Sequence, residues 1–98
     1  MPFVILALDK PGSESLRATL RPDHLDYLIA RQELMLAGGA VLDANGKAIG
    51  GLIIVDTEDA QAAQGFADGD PFNTGGLTAS VQVMPWRKSF FDRQRTTT

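Results

Sequence analysis

The sequence predicts an α+β fold of the ferredoxin-like class, βαββαβ, with one antiparallel four-stranded sheet and two helices on one face. Three observations predict this fold. Apolar segments follow one another with the periods of strand, helix, strand, strand, helix and strand. Asn45-Gly46 lies between two apolar runs and is a strong β-hairpin signal. Residues 77–86 alternate between apolar and more polar side chains, as a strand with one covered face does.

The first half of the chain is predicted to hold one strand and two helices. Residues 3–8 are a continuous apolar run, typical of a strand that is covered on both faces. Turn-forming residues end this strand, and residues 13–20 are expected to form a short helix. Pro22, favoured in the first turn of a helix, is expected to begin the main helix, which reaches about Ala37 and ends at Gly38-Gly39.

The second half is predicted to hold three strands and one helix. Strands over residues 40–43 and 48–55 flank the Asn45-Gly46 turn. Asp56 or Thr57 is expected to cap the next helix, which ends at Gly69-Asp70-Pro71. Its buried face is expected to consist of small residues and one aromatic residue: Ala60, Ala63, Phe66 and Ala67. In the last strand, three residues are expected to face the helices: Ala79, Val81 and Val83.

Composition excludes several classes of function. The 98 residues make one domain, and the absence of cysteine excludes thiol catalysis and thiolate metal sites. One histidine among scattered carboxylates is a poor metal-binding set, so no metal or cofactor is expected. No apolar run approaches the roughly 20 residues that span a bilayer, and the N-terminal run lacks a basic leader. A cytoplasmic protein without membrane contact is therefore expected.

Charge is distributed unevenly along the chain. Residues 1–86 carry five basic and eleven acidic side chains, which argues against nucleic acid as the main partner. Residues 1–88 are expected to form the domain and residues 89–98 a basic tail. Two interpretations of the tail are open: a solvated chain end, or a segment that lies across an acidic neighbour such as a second subunit.

A homodimer is predicted from the apolar strands. Two helices on one face of a sheet leave the other face bare, yet residues 3–8 and 52–55 are apolar on both sides. Because a single domain of this size cannot cover that second face, we expect two copies to pair sheet against sheet.

Several short motifs, by their order and spacing, together resemble the YciI-like (YCII-related) family over residues 1–88. The matching segments are Leu8-Asp9-Lys10, Arg21-Pro22-x-His24-Leu25-x-x-Leu28, Gly38-Gly39, Glu58-Asp59-Ala60-x-x-Ala63-x-x-Phe66, Asp70-Pro71-Phe72, Gly75-Gly76-Leu77 and Val83-x-Pro85-Trp86. The resemblance implies a dimeric α+β barrel of ferredoxin-like subunits. It also implies an active site made by a histidine and an aspartate, matched here by His24 and Asp70.

Family precedents imply proton-transfer chemistry. One member eliminates hydrogen chloride from a chlorinated hydroxyhydroquinone, and muconolactone isomerases share the barrel architecture. The resemblance therefore implies a small, often cyclic, organic substrate.

Chemical grounds also favour His24 and Asp70 as a pair. His24 is the only histidine, and histidine is the side chain whose unperturbed pKa suits proton transfer near neutral pH. At the expected helix N-terminus the partial positive charge would favour the neutral imidazole that a general base needs. Asp70 would fix the tautomer and stabilise the imidazolium. The alternatives are a capping or surface histidine and an aspartate that satisfies local backbone donors.

Five further residues are candidates for substrate contact. Arg21 either binds a substrate carboxylate through its planar guanidinium or pairs with an acidic neighbour. Asp9 either joins the site or begins a turn, and Phe72 forms an apolar wall or belongs to the core. Ser80 and Gln82 either line a cavity between the sheets or hydrogen-bond across the dimer. The predicted function is cofactor-free acid/base elimination or isomerisation; a non-catalytic small-molecule-binding module and a purely structural dimer are the alternatives.

Overall fold

The computed structural model describes residues 1–96 and has a four-stranded antiparallel sheet with two main helices. In chain order the elements are β1 (Phe3–Asp9), α1 (Glu14–Ala30), a 3-10 turn (Gln32–Leu34), β2 (Met35–Leu42), β3 (Ala48–Val55), α2 (Ala60–Gly69), α3 (Pro71–Thr74), β4 (Thr78–Pro85), β5 (Phe90–Phe91) and β6 (Gln94–Arg95). The strand order is β2-β3-β1-β4. This is the ferredoxin-like arrangement, so the predicted fold class is confirmed.

The hydrophobic core lies between the sheet and the helix layer. Its buried cluster combines residues of β1 and β3 with residues of α2: Ile5, Ile53, Val55, Phe66 and Ala67. Tyr27 and Leu28 of α1 pack against the same cluster, which places both helices on one face of the sheet. The central strand β1 pairs with β3 and β4, and side chains alternate between the two faces along it.

Helix α1 is continuous, which corrects the predicted break at Pro22. The proline lies inside the helix, and its residue is exposed. Water can therefore bond to the Ala18 carbonyl that loses its intrahelical donor, so the structure tolerates the proline. The helix also ends earlier than predicted, at Ala30, and Gly38-Gly39 lies inside β2 instead of ending a helix.

A cavity separates α1 from part of the sheet. No residue of this 17-residue helix is buried, and its most extensive contact is with α3. Leu25 and Leu28 of α1 line the cavity together with Ala7 of β1 and Gly51 of β3. The space between helix and sheet is thus open to a ligand.

The second half of the domain follows the prediction with small shifts. Helix α2 is capped by Asp59, whose side chain accepts a hydrogen bond from the Gln61 N–H at 2.9 Å, instead of by Asp56 or Thr57. Its buried residues are those expected, except that Ala60 is exposed. In β4, Val81 and Val83 pack against the core, but Ala79, which was also expected to face the helices, is exposed next to a shift in the pairing with β1. The alternate residues are exposed on the other face: Ser80, Gln82 and Met84.

The predicted basic tail contains a short β-hairpin. Strands β5 and β6 pair across Asp92 and Arg93, whose φ angles of 52° and 63° suit the two central residues of a type I′ turn. Phe90 is 71% exposed. Thr97 and Thr98, the end of the predicted tail, lie outside the described residues. Over residues 1–96, no helix is long and apolar enough to cross a membrane.

Candidate active site

His24 and Asp70 lie in contact although 46 residues separate them in the chain. The distance between His24 Nδ1 and Asp70 Oδ1 is 2.7 Å, and each side chain is 14% exposed. Helix α1 carries His24, and Asp70 occupies the junction between α2 and α3. The two predicted residues therefore meet at the cavity, which both of them line.

The position of His24 differs from the predicted one. The residue lies in the middle of α1 and not at its N-terminus. Because the effect of a helix dipole is confined to the terminal turns, the predicted influence of a helix N-terminus on His24 is absent here. The ring is instead held by its neighbours, since it stacks on the Phe72 ring with centroids 3.8 Å apart and an interplanar angle of 11°.

Asp70 serves the local backbone and the imidazole with one oxygen. Its Oδ1 accepts a hydrogen bond from the Phe72 N–H at 2.9 Å, which caps α3, and the same atom contacts His24. The local-backbone interpretation of Asp70 therefore describes the molecule, and its carboxylate also lies against the imidazole. Since an ionised carboxylate only accepts hydrogen bonds, we assign the imidazole proton to Nδ1. In the neutral ring Nε2 is then the atom that can take a proton.

Arg17 is a cavity residue that the sequence analysis missed. Its guanidinium donates two hydrogen bonds to the Asp9 carboxylate, at 2.7 and 3.0 Å, and a third to the Gly50 carbonyl at 3.3 Å. It also lies 4.7 Å from the centre of the Phe72 ring. Arg17 precedes His24 by seven residues, or two helical turns, so a continuous α1 would have placed both on one face. The supposed break at Pro22 hid this signal.

The other predicted residues fall into two groups. Phe72 and Arg21 line the cavity, as does Asp9, whose carboxylate is bound by Arg17. Arg21 is exposed and makes no hydrogen bond or ion pair with any part of residues 1–96. Ser80 and Gln82 pair with residues of β1 on the open face of the sheet, away from this cavity.

The cavity has a volume of about 230 Å³ and is lined by apolar walls and by a cluster of polar and charged side chains. The apolar walls include side chains from α1, β2 and α2: Leu25, Leu28, Met35 and Phe66. Ala7 and Gly51 are register partners in the sheet and form the floor. Such a site suits a small molecule that has an apolar body and few polar groups.

Tyr27 links the two helices beside the site. Burial raises the pKa of the Tyr27 hydroxyl above its ordinary value; the Arg31 cation opposes this shift, and the Asp70 carboxylate adds to it. The hydroxyl donates a hydrogen bond to the Phe66 carbonyl at 2.8 Å. Tyr27 is therefore a protonated donor at neutral pH that joins α1 to α2.

Fold and site together define a class: a ferredoxin-like α+β domain with a histidine–aspartate pair at an internal cavity. The YCII-related domain matches residues 1–87. The chain belongs to the YCII-related family, as its motifs predict.

Relatives and a solved structure agree with this membership. Protein YciI of Escherichia coli O6:H1 (strain CFT073) is 34% identical over 98 residues, which cover 92% of this chain and 100% of that protein. An uncharacterized protein of Haemophilus influenzae is 35% identical with the same coverage.

The solved structure is the 5-chloro-2-hydroxyhydroquinone dehydrochlorinase TftG from Burkholderia phenoliruptrix AC1100, in complex with 2,5-dihydroxybenzoquinone. It has a TM-score of 0.83 and 30% sequence identity, covering 89% of this chain and 94% of that chain. This chain is therefore similar in fold to an enzyme that acts on a small cyclic compound.

Proposed function

We propose that this protein is a cofactor-free acid/base enzyme that eliminates a leaving group from a small organic molecule or isomerises it. The observation that carries the proposal is the 2.7 Å contact between His24 Nδ1 and Asp70 Oδ1 at a cavity with apolar walls. The likeness to a dehydrochlorinase supports elimination as the reaction type. A positioned base of this kind contributes on the order of 10² to 10⁴ in rate.

The proposed reaction begins at Nε2 of His24. In an elimination this nitrogen takes a proton from the substrate, the electron pair of the broken bond forms a double bond, and the leaving group departs with its own bonding pair. In an isomerisation the imidazolium instead returns the proton to a different carbon atom. Asp70 stabilises the imidazolium in both cases, since its carboxylate lies against Nδ1.

Three further residues have proposed roles toward the substrate. Phe72 forms a wall beside the imidazole, and Arg21 offers its free guanidinium donors to a substrate oxygen. Asp9 contributes through Arg17, whose position it holds by two hydrogen bonds.

Turnover of a defined compound tests the catalytic proposal. We would supply 5-chloro-2-hydroxyhydroquinone and measure chloride release by the wild type and by His24→Gln, Asp70→Asn and Asp26→Asn. His24→Gln is expected to lower kcat/KM by about 10² to 10⁴, because it removes the base. Asp26 is exposed on the same helix, so Asp26→Asn should retain the wild-type rate. Equal rates in His24→Gln and the wild type would contradict the proposal.

A non-catalytic binding module is the second candidate. It is favoured by the hydrogen bond from the Phe72 N–H to Asp70, which gives the aspartate a structural role without chemistry. This candidate requires that a ligand bound by the purified protein is recovered chemically unchanged. Mass spectrometry of the recovered ligand distinguishes the two functions.

We also propose that two copies pair through the open face of the sheet. The residues of this face are mainly aliphatic, and three large ones are 37–41% exposed: Leu8, Leu52 and Met84. Burying an exposed apolar face of this kind against an identical face of a second copy lowers the free energy. Ser80 and Gln82 lie on it and are proposed to hydrogen-bond across the dimer. The cytoplasmic location stays a prediction from the sequence.

Light scattering of Leu52→Arg and Ile29→Arg tests the dimer. Both replaced side chains are exposed, but Ile29 lies on α1, outside the sheet face. Leu52→Arg is expected to be monomeric, since it places a charge in the interface, while Ile29→Arg should have the mass of the wild type. A monomeric wild type, or a dimeric Leu52→Arg, would disprove this interface.

A further inference from the structure

The hydrogen-bonding groups of the cavity leave one cation without a protein acceptor. Asp9 accepts two hydrogen bonds from Arg17, and Oδ1 of Asp70 contacts His24 and the backbone. Arg21 lines the same cavity, yet its guanidinium has no hydrogen bond or ion pair within residues 1–96. Its planar donors therefore remain available to an anionic oxygen.

Arg21 stands close to the base along the helix. It precedes His24 by three residues, which is about 4.5 Å along the axis of α1 and places both side chains on neighbouring parts of one face. An oxygen held by Arg21 and a proton exchanged with His24 would therefore belong to one ligand in the same cavity.

The floor of the cavity is flat because its residues have very small side chains. Ala7 and Gly51 pair across β1 and β3, and neither carries more than a methyl group. A Cβ placed on Gly51 would have the Gly39 carbonyl oxygen as its nearest neighbour, at 3.6 Å, so there is free space directly above this backbone. Leu25 and Leu28 stand on the helix side of the cavity. A planar ring can therefore lie against the floor formed by Ala7 and Gly51.

The volume limits the size of that ring system. At ~30 Å³ per water molecule in the liquid, a cavity of about 230 Å³ corresponds to roughly seven or eight waters. One substituted ring fills such a space.

We propose that the cavity recognises a single-ring organic anion, with the ring on the floor formed by Ala7 and Gly51 and the negatively charged oxygen bound by Arg21. This inference rests on the proposed function, because it specifies the class of substrate for the His24 site. It makes Arg21 the residue that selects for negative charge. Gly51 sets the thickness of the slot, by which we mean the space between the floor and the helix side of the cavity.

Charge selection is tested with benzoate and benzamide, which share a ring and a shape and differ in charge. Isothermal titration calorimetry of the wild type should show about tenfold tighter binding of benzoate, as expected for hydrogen bonds to a charged group. Arg21→Gln should remove this preference. Arg31 stacks on Tyr27 outside the cavity, so Arg31→Gln is the matched control and should retain it. Equal affinities in the wild type, or a preference that survives in Arg21→Gln, would overturn charge selection by Arg21.

The slot is tested with two anions of equal charge and different thickness. Benzoate should bind several-fold more tightly than cyclohexanecarboxylate. Gly51→Ala should weaken benzoate binding, because its methyl group rises into the slot while its nearest contact remains an ordinary one. Gly65→Ala places a methyl group on α2 with nothing within 4 Å and should leave binding unchanged. Unchanged benzoate affinity in Gly51→Ala would show that the ring does not lie on this floor.

These measurements separate the inference from the proposed function. Benzoate has no leaving group, so its binding does not depend on turnover. If His24→Gln abolishes chloride release while benzamide binds as tightly as benzoate, the substrate class is wrong and the acid/base proposal stands. If benzoate binding depends on Arg21 while His24→Gln retains full turnover, the substrate class stands and the catalytic proposal fails.

Discussion

Removing one member of the Asp9–Arg17 pair is expected to destabilise the fold more than an exposed ion pair would. The two side chains are only 13% and 14% exposed, and two hydrogen bonds of 2.7 and 3.0 Å join them. Asp9→Asn leaves the guanidinium of Arg17 without its counter-charge in a partly desolvated place. Arg17→Gln leaves the carboxylate of Asp9 in the same position.

The size of the effect follows from charge separation and burial. Two unit charges about 4 Å apart attract each other by about 4 kcal/mol at an effective dielectric constant near 20, and desolvation offsets most of this energy. Losing one partner of a fully buried pair costs about 3–5 kcal/mol. The remaining exposure of this pair reduces our expectation to about 2–3 kcal/mol for each single substitution. In the double variant neither charge remains, so the coupling energy should be about 1–2 kcal/mol.

Urea unfolding of the wild type, the two single variants and the double variant measures this coupling. The chain offers a control pair, Glu14 and Lys47, whose side chains are 52% and 48% exposed. Because solvent screens exposed charges, the same cycle with Glu14→Gln and Lys47→Gln should give a coupling below about 0.5 kcal/mol. A coupling at Asp9–Arg17 no larger than that of the control would refute the argument from burial.

Three further predictions concern stability. Gly65→Ala should raise the free energy of unfolding by about 0.5–1 kcal/mol, because the exposed helical glycine gains helix propensity without a clash; no rise in urea midpoint would contradict this. Leu77→Ala should lower the free energy of unfolding by about 2–5 kcal/mol, because Leu77 is fully buried. A loss below about 1 kcal/mol would contradict this and would mean that neighbouring side chains fill the void left by the truncated leucine. Burial raises the pKa of Tyr27 in the folded state, so the unfolded chain releases this proton first and stability should fall as the pH rises above about 10. Urea titrations from pH 9 to pH 11 should show a shallower fall in Tyr27→Phe, and an equal fall would contradict the assignment.

Local chemistry was sufficient to predict much of the sheet. Asn45-Gly46 supplies a residue at positive φ, Gly46 at 82°, and the strand after it occupies residues 48–55 as expected. Alternation in β4 identified the covered face through Val81 and Val83. In each case neighbouring residues in the chain carry the information, because a turn and a pleat are local structures.

The interpretation of Pro22 failed because the sequence does not show that this proline is exposed. Proline favours the first turn of a helix and disfavours its interior, but α1 continues through Pro22, which is exposed. This error had two consequences for the site. It assigned His24 to a helix terminus whose field it does not feel, and it separated Arg17 from the helix face that His24 occupies. The contact between His24 and Asp70 spans 46 residues and depends on the path of the whole chain.

The arrangement around Phe72 decides which variants are informative about the proposed chemistry. The Phe72 ring stacks on His24 and lies 4.7 Å from the Arg17 guanidinium, while its backbone N–H donates to Asp70. Asp70 therefore holds both the imidazole and the ring against which the imidazole stacks. Asp70→Ala removes the counter-charge and the cap of α3 together, so a loss of activity would have two causes. Asp70→Asn keeps a side-chain oxygen that can accept from the Phe72 N–H, and its effect on turnover reports mainly on the negative charge beside Nδ1.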